Sequence, residues 1–362
     1  MSAWQQLKFA RHLFSRGILP VYVILFVTER CPNRCRHCFL GETGLTPRKE
    51  ELSLEEIRRI SQGMGELMIL LPTGGEPFLR PDLPEIIQIF YEQNGLRTVG
   101  MPTSGYDQAV ILGQAARILA LCPGLELHIE VSLDGFSETH NQIRGSDRSH
   151  ANATATYGAL AAMAEQEGRL TVGVTSVFSK FNQHEILSWY RYLRDTVKVR
   201  NYTLLLARGN PSDPTALDYD LPRFGEIMTE INSDLQQGRL RFGSSFLSRF
   251  MNGQRIIRNN LVSETATERR YRSPCFAGTL AGVIRANGDV YPCEVLEEPF
   301  GNLREHNYDF AAIWRGDQAQ QVVASTIKKG RCFCTHECFL GVNILFNKRY
   351  LPEILYRGVC QC

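Results

Sequence analysis

The sequence has little excess of charge of either sign, since 40 Lys and Arg residues against 38 Asp and Glu leave a formal net charge of +2. That balance argues against a protein that captures nucleic acid through bulk electrostatics. The apolar run ILPVYVILFV at 18–27 is far too short to span a membrane, and no small-residue cleavage site follows it. Nothing in the sequence is typical of a Walker loop, a hydrolase triad or a low-complexity tract.

Cysteine is too scarce for a disulfide-dense secreted scaffold, with 11 in 362 residues. The cysteines are clustered instead: three lie at 31–38, one at 122 and seven from 275 to 362. Clustered cysteines in an intracellular chain are typical of metal ligands. Because they need a reducing compartment to stay thiolate, we expect a cytoplasmic protein.

Short β-branched runs alternate with helical stretches six times between residues 21 and 240. The runs are VYVILFV (21–27), ELMILL (66–71), RTVGMP (97–102), LHIEVSL (127–133), LTVGVTSV (170–177) and YTLLLA (202–207). One helix start is marked by Ser53 and Glu56, the spacing of a capping box. Six βα units predict an α/β fold with a parallel sheet, in the form of a partial (β/α)6 TIM-like barrel. A small cysteine-rich domain follows it.

We divide the chain into four parts on this pattern. An N-terminal helix (1–20) precedes the barrel (21–240), and a helical, basic bridge (241–272) leads to the cysteine-rich unit (273–362). The N-terminal segment has apolar residues at helical spacing and basic residues elsewhere. It would either pack under the barrel or make a peripheral contact with a membrane surface.

Cys31, Cys35 and Cys38 follow the first predicted strand, at the sheet edge where α/β proteins place their chemistry. Three thiolates are one ligand short of a closed tetrahedral site. Zinc could take His37 as its fourth ligand, although zinc sites usually combine two separated ligand pairs. An iron–sulfur cluster held by three cysteines would leave one iron open for a substrate or cofactor.

A second motif, Gly74-Gly75-Glu76-Pro77, follows the second predicted strand. The two glycines allow the backbone to approach a ligand closely. Glu76 could accept hydrogen bonds from an ammonium group. The alternative is an ordinary Gly-Gly turn before a proline.

Together these motifs resemble the radical SAM superfamily. The resemblance implies that Cys31, Cys35 and Cys38 hold a [4Fe–4S] cluster, whose open iron is chelated by the amino and carboxylate groups of S-adenosylmethionine. It also implies that Gly74, Gly75 and Glu76 bind the amino group of the cofactor's methionine. His37 stands where an aromatic residue of the family touches adenine.

Further strand ends match the family more loosely. Ser104 stands where an Asn is common, and Ser132 and Asp134 resemble residues that reach the cofactor's ribose and methionine end. Arg144 resembles an arginine that pairs with the cofactor carboxylate, and Leu206 stands where the family often contacts adenine. Asp134 could instead be a turn aspartate, and Arg144 half of a solvent ion pair.

The C-terminal cysteines resemble the SPASM or twitch extension of some radical SAM enzymes, which holds one or two auxiliary [4Fe–4S] clusters. Cys275, Gly288 and Cys293 match its opening. The remaining cysteines of this unit are Cys332, Cys334, Cys338, Cys360 and Cys362. One cluster would use Cys275, Cys293, Cys338 and either Cys332 or Cys334, and a second would take the leftovers with Cys360 or Cys362. Zinc is the alternative metal.

Glu294 directly follows Cys293, where sulfatase-maturing relatives carry a candidate base. Beside a cluster it could take the proton released when a substrate radical is oxidised. The alternative is a surface glutamate.

The resemblance implies reductive cleavage of S-adenosylmethionine to a 5′-deoxyadenosyl radical, with electrons from a flavodoxin- or ferredoxin-like donor. The radical would abstract hydrogen from a C–H bond of a small metabolite, a sugar or a lipid-linked substrate, for oxidation or epimerisation. Because the barrel begins near residue 21, we expect no fused peptide-binding domain, which mildly disfavours the alternative of a peptide or protein maturase. A non-catalytic iron–sulfur or zinc module is the alternative from another class.

Overall fold

The computed structural model describes residues 19–40, 50–241, 246–330, 332–333 and 335–360. The predicted N-terminal helix lies outside the described residues apart from its last two positions. None of the helices in these ranges is long and apolar enough to cross a membrane.

Six parallel strands form the main sheet, as the six apolar runs predict. They are β1 Tyr22–Thr28, β2 Ile69–Gly74, β3 Thr98–Thr103, β4 Glu126–Ser132, β5 Leu170–Phe178 and β6 Tyr202–Leu206. Consecutive strands of this series are neighbours in the sheet, in the order β6-β5-β4-β3-β2-β1. The sheet is open and does not close into a complete barrel, so the prediction of a partial barrel is confirmed.

Helices connect the strands and cover the outer face. They are α1 Leu54–Gln62, α2 Leu83–Gln93, α3 Gln108–Leu121, α4 Ser137–Arg144, α5 Ser149–Gln166, α6 Ile186–Tyr192 and α7 Leu221–Gln236. The predicted capping box opens α1, since Ser53 N–H donates to Glu56 and Glu56 N–H donates to Ser53 Oγ. A longer helix, α8 Phe246–Glu268, occupies the predicted bridge.

Three short strands extend the same sheet beyond β1. β7 Ala281–Ile284 runs parallel to β1, and β8 Asp289–Tyr291 and β9 Gly301–Asn302 follow as antiparallel strands. The last helices are α9 Phe310–Arg315, α10 Asp317–Val322, α11 Glu337–Leu345 and α12 Leu351–Leu355. One nine-stranded sheet therefore joins the predicted barrel to the predicted cysteine-rich unit. The residue boundaries that we assign to the two parts stay predictions.

Helix α11 touches both ends of the six-stranded series. The Phe339 ring lies 6.4 Å from the ring of Tyr22 in β1, and Glu337 accepts a 3.1 Å hydrogen bond from the N–H of Leu206 in β6. A helix of nine residues is about 13 Å long, so the sheet must curl to bring β1 and β6 to it. The apolar stretch that includes α11 lies in the core, where Phe339, Leu340 and Ile344 are buried.

Candidate active site

The cysteine loop is fixed by backbone hydrogen bonds to the end of helix α4 and to the segment after β6. The N–H groups of Arg34 and Arg36 donate to the carbonyls of Arg144 and Ile143 at the end of α4, at 3.1 and 2.9 Å. On the other side, Ser212 N–H donates to the Cys38 carbonyl at 3.0 Å. The loop therefore sits between the segments that follow β4 and β6, at the carboxyl edge of the sheet.

Gly74 and Gly75 lie directly against the start of this loop. A Cβ atom on Gly74, whose φ is +148°, would come within 1.9 Å of the Thr28 carbonyl oxygen. A Cβ atom on Gly75 would lie 2.2 Å from the Arg30 carbonyl oxygen and 2.8 Å from Cys31 Cβ. Only glycine fits at positions 74 and 75. These two glycines allow the chain after β2 to pack directly against the start of the cysteine loop.

The three cysteines of the loop are free thiols in a largely buried setting. Burial raises the pKa of Cys31 to about 12 and that of Cys35 to about 11, and the charges of the neighbouring cysteines act in the same direction. Binding iron must therefore release these protons. No three His, Cys, Asp or Glu side chains in the described ranges could share one metal ion. A cubane cluster does not require three side chains on one metal ion, because each cysteine binds a different iron.

Glu76 is buried and its carboxylate is saturated by the protein chain. One oxygen accepts from Thr103 Oγ1 at 3.0 Å and Phe78 N–H at 3.3 Å, and the other from the N–H and the Oγ of Ser104 at 2.7 and 2.6 Å. A carboxylate offers about four acceptor sites. Burial raises the pKa of Glu76, and the hydrogen bonds, which act to lower it, only partly offset this effect. Acceptance of a cofactor ammonium by Glu76 stays a prediction, as does a direct cofactor contact for Ser104.

Asp134 and Arg144 form a buried ion pair beside Cys35. Arg144 Nε and Nη2 lie 2.7 and 2.6 Å from Asp134 Oδ2, and Arg144 Nη1 lies 3.6 Å from Cys35 Sγ. Burial would raise the pKa of Asp134, but Arg144, His37 and His140 outweigh it and hold the pKa at about 2. The sequence assigned Asp134 and Arg144 separately to the cofactor, whereas the structure shows that they bind each other.

His37 presents a buried polar atom with no partner. Its Nε2 lies 3.9 Å from Asp134 Oδ2, and its Nδ1 has no hydrogen-bond partner among the described residues. Burial lowers the pKa of His37 to about 4, so the ring is neutral near pH 7. An orphaned ring nitrogen within the cysteine loop fits a site that a further group completes.

The remaining cofactor-binding candidates lie at neighbouring strand ends. Ser132 is the partly exposed last residue of β4, paired in register with Thr175. Leu206 ends β6 and is buried, and its N–H donates to Glu337. Contacts of Ser132 and Leu206 with ribose or adenine stay predictions.

Four of the C-terminal cysteines have described side chains, and two of these lie near each other. Cys275 and Cys332 are close enough for the charge of Cys275 to raise the pKa of Cys332, after burial as the larger cause. Cys293 follows β8 and is buried, and Cys338 lies in the first turn of α11, near Tyr22 and His336. Cys334, Cys362 and the side chain of Cys360 lie outside the described residues. Which of these cysteines bind metal stays a prediction.

Glu294 lies in a buried polar cluster that joins the barrel to the C-terminal unit. Its carboxylate contacts His336 Nε2, and Arg208 contacts both Glu337 and His336 Nδ1. Burial raises the pKa of Glu294, but His336, Arg208 and Arg285 lower it overall, so the group is an ionised carboxylate. The interpretation of Glu294 as a base stays a prediction. Arg208, His336 and Glu337 were missed from the sequence, although His336 and Glu337 lie between two cysteines in CTHEC, which is a usable signal.

The residues at the first site therefore fit the group that the cysteine motif implies. Three thiols, two motif glycines packed against the start of the cysteine loop and the orphaned His37 nitrogen occur together, and Arg144 donates to the Cys35 sulfur. Cys31, Cys35 and Cys38 would hold the cluster.

Comparison with known proteins finds one family match in the N-terminal part of the chain and another in the C-terminal part. Residues 25–193 match the radical SAM superfamily, and residues 275–339 match SPASM, an iron-sulfur cluster-binding domain. Together the two matches cover more than half of the chain.

Individual relatives differ in how much of the chain they share. GTP 3′,8-cyclase of Tolumonas auensis is 41% identical over 87 residues, which are 24% of this chain and 26% of that protein. AdoMet-dependent heme synthase of Methanosarcina barkeri is 26% identical over 323 residues, covering 84% of this chain and 85% of that protein. The matched segments cover 15% to 57% of the length of the molybdenum cofactor biosynthesis proteins and GTP cyclases, so this chain spans only part of those relatives.

Among solved structures, Streptococcus suis SuiB bound to its precursor peptide SuiA has a TM-score of 0.60 at 15% identity. That match covers 89% of this chain and 70% of SuiB. Likeness at this identity shows the fold. The chain therefore contains a radical SAM domain over residues 25–193 and a SPASM domain over residues 275–339, and these domains imply S-adenosylmethionine, a [4Fe–4S] cluster and auxiliary iron–sulfur clusters as cofactors.

Proposed function

We propose that this enzyme abstracts hydrogen from a C–H bond of a small, polar metabolite or sugar, and that the reaction is an oxidation or an epimerisation. The cofactors would supply one-electron cleavage of S-adenosylmethionine and a radical that can take a hydrogen atom. The protein would bind and orient the substrate within the curled sheet.

The polarity of the inner face of the sheet carries this proposal. In β4, Leu127, Ile129 and Val131 are fully buried, and we assign them to the outer face, which the helices cover. The residues between them are only partly buried and belong to the inner face. Glu130 is one of the inner residues. Its carboxylate accepts hydrogen bonds from Thr175 Oγ1 and, at 3.3 Å, from Thr203 Oγ1.

This arrangement supports a substrate with hydroxyl or amino groups. Glu130 lies two positions before Ser132, about 7 Å along the strand from the edge that carries the cysteine loop. A carboxylate there offers further acceptor sites to a donor group. A hydrocarbon chain would leave this carboxylate desolvated without compensation. We therefore favour a polar small molecule over the lipid chain of a lipid-linked substrate.

Other residues of the chain would prepare the site. Arg144, held by Asp134, would donate to Cys35 sulfur, and α11 would help exclude water where it bridges β1 and β6. Glu294 could accept a proton at Oε2 beside His336. We further propose a flavodoxin- or ferredoxin-like electron donor and a cytoplasmic location. Modification of a peptide, as the SuiB complex with SuiA suggests, is the alternative.

The first experiment is cofactor cleavage by the reconstituted enzyme. Protein reconstituted with iron and sulfide without oxygen would be mixed with S-adenosylmethionine and dithionite, and 5′-deoxyadenosine would be measured by mass spectrometry. We expect 5′-deoxyadenosine from the wild type and none from a variant with Cys31→Ala, Cys35→Ala and Cys38→Ala. Candidate sugars and amino sugars should increase its formation.

The control for this experiment is Cys122→Ala, because Cys122 is buried and lies outside both cysteine clusters. It should keep the iron content and the activity of the wild type. Equal 5′-deoxyadenosine from the wild type and the triple variant would contradict radical chemistry at Cys31, Cys35 and Cys38. Stimulation by peptides alone would favour the alternative substrate class.

A further inference from the structure

A cavity lies beside Cys275 in the C-terminal unit. Its volume is about 400 Å³, and its walls include Ser273, Cys275, Phe276, Thr279, Val323 and Lys328. Cys332 lies within electrostatic range of Cys275. The cavity therefore adjoins Cys275 and its neighbour Cys332, two thiols that lie within the residues matched to the SPASM domain.

Ser273 presents a buried hydroxyl with nothing to bind. The residue is 3% exposed, and its Oγ has no hydrogen-bond partner among the described residues. Burying a hydroxyl without a partner costs free energy, so native structures rarely keep one. An orphaned hydroxyl in the wall of a cavity indicates a partner that occupies the cavity.

The polar groups on both sides of Ser273 are satisfied, which makes its hydroxyl the exception. Asn343 Nδ2 donates to Tyr271 Oη at 2.9 Å, and Phe276 N–H donates to Asn343 Oδ1 at 2.8 Å. The Asn343 side chain in α11 thus binds both Tyr271, two residues before Ser273, and Phe276, three residues after it. The segment is held firmly, and the free hydroxyl does not result from a loose wall.

The charge of the rim suits an anionic occupant. Lys328 is exposed at the cavity, and Arg272, which pairs with Glu268, also lines it. A [4Fe–4S] cluster bound by cysteine thiolates carries a net negative charge, and its sulfur atoms accept hydrogen bonds.

We propose that the Ser273 hydroxyl donates a hydrogen bond to a sulfur atom of the auxiliary cluster bound through Cys275, and thereby raises the reduction potential of that cluster. The hydrogen bond becomes stronger when the cluster gains an electron, because the sulfur atoms become more negative. It therefore stabilises the reduced state. Ser273 is a tuning residue, and this role does not depend on which substrate the enzyme uses.

The test compares Ser273→Ala with Ser273→Thr, which keeps a hydroxyl. Both would be made in the full chain with Cys31→Ala, Cys35→Ala and Cys38→Ala, so that only auxiliary iron contributes to the spectrum. Each protein would be reconstituted and titrated electrochemically, with the reduced cluster followed by EPR. We expect a lower potential in Ser273→Ala. At the parent's midpoint the ratio of reduced to oxidised cluster should fall about tenfold, which corresponds to about 59 mV for a one-electron couple. Ser273→Thr should stay close to the parent.

A second measurement detects the proton itself. After exchange into D2O, deuterium ENDOR of the reduced cluster should show a coupled exchangeable deuteron in the parent and in Ser273→Thr. Ser273→Ala should lack it. Because the experiment needs no S-adenosylmethionine cleavage, its outcome is independent of the proposed function.

Ser263→Ala is the matched control, since Ser263 Oγ donates to the Asn259 carbonyl at 3.1 Å within α8 and does not line the cavity. An unchanged potential in Ser273→Ala, or an equal shift in Ser263→Ala, would overturn the proposal. Loss of auxiliary iron from Ser273→Ala would also overturn it, because the hydroxyl would then support the fold and not the cluster.

Discussion

Arg144 shows how one residue can serve two neighbours in the first site. Its guanidinium compensates the buried charge of Asp134 and at the same time approaches Cys35 sulfur. Because Nε and Nη2 of this one guanidinium bind the carboxylate and Nη1 approaches the sulfur, Arg144 couples the geometry of the β4 end to that of the cysteine loop. The surroundings of the cysteine loop are therefore set partly by Arg144, which lies more than 100 positions after the three-cysteine motif.

Removal of Arg144 should be costly for stability. In Arg144→Ala, Asp134 would be left as an uncompensated buried charge, and we expect the free energy of unfolding to fall by about 3–5 kcal/mol. Urea unfolding would measure the loss. Arg117→Ala removes a surface partner of Glu85 and should cost less than about 1 kcal/mol. A similar small loss in both variants would show that the buried pair is not needed.

At this scale the motifs predicted which residues gather at the site, and the contacts of these residues with the cofactor stay predictions. Asp134, Arg144, Glu76 and Ser104 were singled out from the sequence as cofactor contacts. The structure uses Arg144 to hold Asp134 and Ser104 to hold Glu76. Short motifs identify residue types near a ligand, but partners 10 and 28 positions apart are decided by how strand ends meet.

Among the elements, the turn after β2 has the least freedom to change. We expect Gly75→Ala to prevent correct placement of the cysteine loop, because its Cβ would overlap the Arg30 carbonyl and Cys31. Iron analysis after reconstitution should show loss of the S-adenosylmethionine-binding cluster only, so the iron content should equal that of the triple cysteine variant.

The matched control for the turn is Gly113→Ala in the exposed part of α3, where an added Cβ meets nothing within 4 Å. It should retain full iron and gain up to about 1 kcal/mol of stability, because alanine favours a helix over glycine. Full iron in Gly75→Ala would mean that the loop can move away from the turn at little cost.

Helix α11 should depend on Glu337 for its attachment to β6. Glu337→Ala removes the partner of Arg208 and the acceptor for Leu206 N–H, so we expect a loss of about 3 kcal/mol and faster hydrogen exchange at the Leu206 amide. Mass-resolved hydrogen exchange would localise the effect. Glu353→Ala, which removes a surface i,i+4 pair with Arg357, should leave exchange in β6 unchanged. Unaltered exchange in both variants would refute the anchoring role.

For the whole molecule, Glu56 ties α1 to the C-terminal unit. Hydrogen bonds from Arg304, and then from Ser53 and Tyr308, outweigh burial and lower the pKa of Glu56 from 4.5 to about 2. A depressed pKa contributes stability that is present above the unfolded value and is lost as the pH falls through the folded value. The stabilisation should therefore be complete above about pH 5 and disappear between pH 5 and 2.

Urea unfolding from pH 6 to pH 3 would test this dependence. Glu56→Gln should be less stable than the wild type at pH 6, and the difference should shrink as the pH falls. Glu55→Gln, beside a weak 3.9 Å contact with Arg58, should follow the wild type at every pH. A constant difference for Glu56→Gln would mean that charge at this position does not matter.

The larger architecture was only partly accessible from the sequence. The six main strands have five or more residues each and alternate along the sequence with helical stretches, so their order and parallel direction follow from local pattern and the handedness of βαβ units. β7, β8 and β9 have four, three and two residues, too few for a periodic signal. The pairing of β7 with β1 also joins residues more than 250 positions apart, which no local pattern records.

The position of β1 inside the sheet has a consequence for protein engineering. All seven residues of β1 are buried, and the strand is paired on one side to β2 and on the other to β7. A recombinant barrel without β7 would expose one long side of an apolar strand, which is a template for aggregation. Chimeras that exchange C-terminal units between relatives should therefore transplant β7 together with a β1 that matches it, and not join at the boundary between the two family matches.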